Sequence, residues 1–201
     1  MSETVRKRDV AVLISGRGSN MIALADACAA ADFPARIVGV LSDRADAPGL
    51  DAARARGLAA AALPRTDFAG KAAHEAAIEA QLVGWGAEIV CLAGFMRLLS
   101  AGFVDRWRGR IINIHPSLLP RHRGLDTHAR ALAAGDARHG CSVHHVTAGM
   151  DEGPVIAQAA IDVGKGDTPE TLAARVLAQE HRLYPRALRM LIEAERQQGE
   201  R

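Results

Sequence analysis

Val10-Ala11-Val12-Leu13-Ile14-Ser15-Gly16-Arg17-Gly18-Ser19-Asn20 decides the fold class. Unbroken apolar character over 10–14 reads as a strand buried on both faces. The glycines turn the chain, and a helical pattern follows over 21–30. A strand, a glycine turn and a helix start together form an anion site, where free backbone N–H groups and the helix dipole point at the ligand. Gly16 and Gly18 let the backbone approach a phosphate, Ser19 and Asn20 can cap and donate, and Arg17 adds charge. The spacing is neither the dinucleotide fingerprint nor a P-loop: Met21 stands where the third glycine belongs, and no Gly-Lys-Ser/Thr follows. A tight turn with an N-cap and no ligand suits the same residues.

Working outward, apolar strands at 36–41, 58–63 and 88–92 alternate with helical segments at 48–56 and 71–85. That rhythm predicts a mostly parallel, doubly wound α/β sheet with right-handed crossovers. Asp43 falls where a dinucleotide fold holds a ribose, but the fingerprint that goes with it is absent. Ala93-Gly94-Phe95-Met96-Arg97-Leu98-Leu99 follows the fourth strand. A flat apolar ligand could lie on Met96, Leu98 and Leu99 there; a turn covering the core is the competing use.

Ile111-Ile112-Asn113-Ile114-His115-Pro116 is the next strand, after a helix over 103–107. Alternation sends Asn113 and His115 to one face and Ile112 and Ile114 to the other, into a core. Pro116 lacks an N–H and ends the ladder. Asn offers a neutral donor to a developing oxyanion, and His transfers protons near neutral pH. A buried strand end satisfying its own loop is the alternative. Arg121-His122-Arg123 then forms a basic loop that either meets an anion or is simply solvated, and Asp126 or Thr127 caps a helix through Ala134. Two antiparallel strands, 141–146 and 155–161, flank a loop carrying Asp151 and Glu152. One of these acids could pair with His115 and raise its pKa, or both could be solvated. Asp167, Thr168 and Pro169 start a last helix that Pro185 should break or kink; the polar tail 193–201 should fray.

With 201 residues, 49% hydrophobic and 24% charged, the chain fits one soluble domain. A net charge of +2 and 3% aromatics argue against nucleic acid. No run is long enough to span a membrane. The three cysteines are far apart, which fits a reducing cytoplasm. The eight histidines show no ligand spacing, so no metal is expected.

Four segments, Ser15 to Asn20, Leu92 to Arg97, Asn113 to Pro120 and Met150 to Pro154, occur in an order that resembles the folate-dependent phosphoribosylglycinamide formyltransferases. The likeness runs from Val10 to about Tyr184. It implies a Rossmann-like fold of the formyltransferase type with an antiparallel strand near the C-terminus. It further implies one domain over 1–201, with a nucleotide-phosphate half (10–105), a folate and catalytic half (106–192) and the tail. The implied reaction moves the formyl group of 10-formyltetrahydrofolate to the amine of 5-phosphoribosylglycinamide in purine synthesis. Asn113, His115 and Asp151 would be catalytic. Gly18, Ser19, Asn20 and Glu180 would hold the ribonucleotide. Lys71, Met96, Arg97, Leu98, Leu99 and Asn113 would hold the folate cosubstrate. Lys71 stands where the family often has arginine, and Asp126 where histidine is frequent. Small molecules would be the partners, and the chain a monomer or weak homodimer. A formyl-folate hydrolase should carry an extra N-terminal domain, and a methionyl-tRNA formyltransferase an extra C-terminal one. A non-catalytic nucleotide-binding module would leave Asn113, His115 and Asp151 without a use.

Overall fold

The computed structural model describes residues 6–199. Seven strands form one sheet in the order β3-β2-β1-β4-β5-β6-β7. They are β1 (Arg8–Ile14), β2 (Ala35–Ser42), β3 (Ala60–Ala62), β4 (Ile89–Leu92), β5 (Ile111–His115), β6 (Arg138–His145) and β7 (Val155–Asp162). Pairing is parallel from β3 across to β5 and antiparallel from β5 to β6 and β6 to β7. β6 therefore runs against the other six, which is the expected antiparallel strand.

Six helices cover the sheet: α1 (Ser19–Cys28), α2 (Pro48–Arg54), α3 (Lys71–Gly84), α4 (Ala101–Arg106), α5 (Thr127–Ala133) and α6 (Pro169–Gly199). Alternation along β1 feeds two cores. Val10, Val12 and Ile14 pack with α1, α2 and α6 residues such as Leu24, Leu50 and Leu188. Ala11 and Leu13 pack with Ile78 and Leu82 of α3 and Phe103 of α4. All five β1 residues from Val10 to Ile14 are fully buried, as a strand covered on both faces must be. In β5, Ile112 and Ile114 join the first core and Ile111 the second. Asn113 and His115 share the Ile111 face, beyond its helices.

The chain runs outward from β1 to β3 and returns to β4 on the other side of β1. The crevice between the carboxyl ends of β1 and β4 is thus a topological switch point, where open α/β sheets bind ligands. The two loops there are stitched together. Ser15 N–H donates to Gly94 O at 3.1 Å, and Met96 N–H to Ser15 Oγ at 2.8 Å.

At the C-terminus the structure differs from expectation in two places: Pro185 does not break the last helix, and the tail is helical. α6 continues through Pro185, because Leu172, Val176, Leu183, Tyr184, Ala187, Leu188 and Leu191 keep one buried stripe across it. Packing outweighs the roughly 3 kcal/mol that an interior proline costs. The tail does not fray at Glu193 either: it is helical to Gly199, with Glu195 accepting from Arg8 at 2.6 Å and Arg196 donating to Arg6 O at 2.8 Å. Residues 200–201 lie outside the described part.

Candidate active site

Beyond the carboxyl ends of β4 and β5 lies a cavity of about 560 Å³. The loop after β4 supplies Phe95, Met96, Arg97, Leu98 and Leu99 to its wall. The strand end supplies Asn113 and His115, and the β6–β7 loop supplies Met150 and Asp151. The alternation read from the sequence thus delivers both polar side chains to the same space. His115 is buried and Asn113 half-buried.

His115 uses both ring nitrogens. Nδ1 lies 3.3 Å from Asp151 Oδ2, and Nε2 lies 3.0 Å from the backbone O of His122. Asp151 comes from the loop between β6 and β7, has φ 51, and accepts the Gly124 N–H at 2.9 Å. The predicted His–carboxylate pair is therefore present, with Asp151 as the partner; Glu152 bonds Arg123 instead, at 2.8 Å. The expected rise in the His115 pKa is not found. Burial lowers it, and this outweighs the raising effects of the His122 carbonyl and of Asp151. Burial pushes the Asp151 pKa up, but the His144 and His115 rings and the Gly124 N–H together bring it below the ordinary value.

Sequence reasoning missed His144. It is buried on β6 directly across from Asn113 in the β5–β6 register. Its Nε2 is 3.3 Å from Asn113 Nδ2 and 3.6 Å from Asp151 Oδ1, while its Nδ1 is 2.8 Å from the His145 O. Since that carbonyl only accepts, Nδ1 carries a proton, and Nε2 is the ring nitrogen that meets the Asn113 amide. This orients the Asn113 amide and leaves its second N–H for the cavity. The sequence marked His144 only as part of a strand over 141–146; that this strand pairs with β5 and sets His144 opposite Asn113 follows from the structure.

The glycine turn after β1 leads into α1 as expected, with one correction. Gly18, at φ 72, is itself the N-cap of α1, and no side chain caps that end. Asn20 instead points its Nδ2 to Glu180 Oε2 at 2.6 Å, across 160 residues of sequence. What Asn20 offers an anion is therefore its backbone N–H, as Gly18 does, while Ser19 adds its hydroxyl to its own N–H. A Cβ on Gly18 would sit 3.0 Å from Gly49 Cα, which shows how closely α2 approaches the turn. Burial raises the Glu180 pKa, and the Asn20 bond opposes it. Gly18, Ser19, Asn20 and Glu180 are outside the lining of the large cavity, but at the same sheet edge.

Arg97 turns its Nε to buried Asp43 Oδ2 at 2.6 Å. Asp43, considered above for a ribose, thus holds the loop after β4 to the end of β2. Lys71 does not reach the large cavity. It lies 3.8 Å from Glu75 Oε1 beside a smaller cavity of about 270 Å³. Phe95, Arg97, Leu98 and Leu99 line both cavities. The basic loop is not free for an anion: Arg121 and His122 both bind buried Asp136, and Arg123 binds Glu152. Asp126 occupies the N-cap position of α5 without a side-chain bond, and Thr127 donates to Pro116 O at 2.7 Å. Among the described residues no group of His, Cys, Asp and Glu is arranged to hold a metal, and no helix is long and apolar enough to cross a membrane.

This sheet carries a glycine turn at its switch point and an Asn–His–Asp cluster over an apolar cavity, and a sequence model of the formyl transferase family matches residues 8–188. The chain belongs to that family. Within it, the chain is 45% identical over 177 residues to the phosphoribosylglycinamide formyltransferase of Escherichia coli K12, covering 88% of this chain and 84% of that protein. It is 42% identical over 195 residues to the human trifunctional purine biosynthetic protein adenosine-3, covering 97% of this chain and 19% of that much longer protein. The crystal structure of phosphoribosylglycinamide formyltransferase from Brucella melitensis superposes with a TM-score of 0.89 at 57% identity, over 92% of this chain and 95% of that one.

Proposed function

We propose that this chain transfers the formyl group of 10-formyltetrahydrofolate to the amine of 5-phosphoribosylglycinamide, a step of purine synthesis. The observation that carries this is the convergence of Asn113, His115 and Asp151 on one wall of the apolar cavity. Likeness to enzymes named for this reaction supports it.

The folate ring would lie on Met96, Leu98 and Leu99, with loop backbone groups on its polar edge and its tail toward Arg97 and Lys71. The ribonucleotide phosphate would meet the N–H groups of Gly18, Ser19 and Asn20, and its ribose Glu180. The amine nitrogen then attacks the formyl carbon, a C–N bond forms, and negative charge grows on the formyl oxygen. The free N–H of Asn113 donates to that oxygen. His115 and Asp151 accept the proton shed by the amine, and the resulting imidazolium puts a positive charge beside the same oxygen. The bond from the formyl carbon to N10 breaks as N10 takes up a proton. Water drawn into the cavity as nucleophile would make the same arrangement a hydrolase. The three free cysteines, all buried, support a reducing, cytoplasmic setting.

The test is a spectrophotometric assay with the formyl folate, run with and without the ribonucleotide. Folate product that needs the ribonucleotide supports transfer. Equal product without it means hydrolysis, and no product in either case sinks the proposal.

A further inference from the structure

A carbonyl oxygen can only accept, so the 3.0 Å contact from the His122 carbonyl requires the proton on Nε2 of His115. The lone pair of the neutral ring is then on Nδ1, facing Asp151 Oδ2 at 3.3 Å. Two acceptors face each other until a proton arrives between them; it then makes a charge-assisted bond on one side of a ring whose other side is already satisfied. The His122 carbonyl therefore decides which nitrogen is offered to the proton.

That carbonyl is held in an unfavourable way. His122 has φ 52, a left-handed conformation that costs a non-glycine residue about 1 kcal/mol or more. Such a residue persists only where its surroundings fix it, and here both sides are tied. His122 Nε2 lies 2.7 Å from Asp136 Oδ2, and the preceding Arg121 binds Asp136 Oδ1. Ser117 Oγ donates to Arg121 O at 2.6 Å. Asp136 is buried, and its own N–H is anchored to Ala131 O at 3.1 Å. Ser117, Arg121, His122 and Asp136 all lie outside the lining of the cavity.

We propose that Asp136 is a positioning residue: by gripping His122 it keeps the His122 carbonyl on Nε2 of His115 and so fixes Nδ1 as the nitrogen that faces Asp151. Its effect on turnover rests on the formyl-transfer mechanism above; its effect on the ring does not. The charged and titratable groups that act on His115 are Asp151, His144 of β6, and His128 and Arg130 of α5. The carbonyl is one of two influences that raise the His115 pKa, so losing it moves that pKa further down.

The experiment is ¹⁵N NMR of the imidazoles in the intact chain, with the His115 signals assigned through His115→Asn. Neutral His115 in the unaltered protein is expected as the Nε2–H tautomer. In Asp136→Asn it is expected as a mixture of tautomers, with a lower pKa. The kcat should drop on the order of tenfold, a part of the 10²–10⁴-fold that a positioned acid–base group contributes. KM should stay unchanged, and the acid limb of the kcat profile should shift down in pH. His122→Gly removes the grip while tolerating the backbone conformation, so it gives the same reading if Asp136→Asn does not fold. The double variant should be no worse than the more affected single one. An unchanged tautomer in either folded variant overturns the proposal, as do additive effects. A chain that transfers no formyl group but loses its Nε2–H tautomer would refute the reaction and leave the grip of Asp136 standing.

Discussion

Strands β1 and β5 reach the same sheet edge with β4 between them, and they present different chemistry there. β1 is apolar from Val10 to its carboxyl end and hands over to a glycine turn, so the chemistry it presents there is backbone N–H at the mouth of α1. β5 is interrupted by Asn113 and His115, so the chemistry it presents is carried by side chains. Backbone donors are fixed once the fold is fixed and tolerate changes of side chain, provided no Cβ intrudes. Side-chain donors need supporting partners, and β5 draws these from β6, the β6–β7 loop and the loop after itself.

The largest expected effect comes from removing chemistry at β5. Asn113→Ala should lower kcat by roughly 10²–10³-fold, about 2.7–4 kcal/mol of barrier, with little change in KM for the ribonucleotide. Steady-state kinetics checks this, and a kcat close to that of the unaltered enzyme would remove Asn113 from the mechanism.

Acid should separate the two regions next. The folded His139 pKa is lowered to about 4 from an ordinary 6.5, first by burial and then by the neighbouring histidines. A depressed folded pKa means that the unfolded chain binds more protons between those values. Its stability is therefore full above about pH 6.5 and is lost as pH falls toward 4. His115 and His128 shift the same way. Hydrogen exchange across this range should show β5 and β6 losing protection before β1 and β2; loss in the opposite order would break the contrast.

A smaller effect is expected at the turn after β1. Gly18→Ala should raise KM for the ribonucleotide about tenfold, roughly 1.4 kcal/mol, and leave kcat nearly intact. The added Cβ meets Gly49 Cα at a φ unsuited to alanine. A fall in kcat with constant KM would show that the two ends are not separable. Smallest of all, Tyr184→Phe should cost about 1 kcal/mol in thermal or chemical unfolding, through loss of the one hydroxyl proton shared between the carbonyls of Leu92 and Ile112.

The same contrast explains what the sequence disclosed. The β1 turn is local, so strand, glycines and helix start could be read from consecutive residues. The placing of Asn113 and His115 on one face is also local and was legible. His144 was not, because its meeting with Asn113 depends on a strand register that no short window contains. The Asn20–Glu180 and Arg97–Asp43 bonds are equally remote in sequence. The His115 pKa was misjudged because a pattern can suggest a carboxylate partner but not the depth of burial that outweighs it. Pro185 was overrated for a related reason: helix propensity is local, and the apolar stripe that overrides it belongs to the tertiary fold.

Tyr184 ties together the ends of β4 and β5 from a helix that is synthesised after all seven strands. Glu180, one turn before it, closes on Asn20 of α1. On the ribosome, a chain that has completed its sheet still lacks both ties until α6 has emerged and docked. Both ties thus wait on the docking of α6, and nascent chains stalled before α6 should fail to bind the ribonucleotide that Glu180 is proposed to hold.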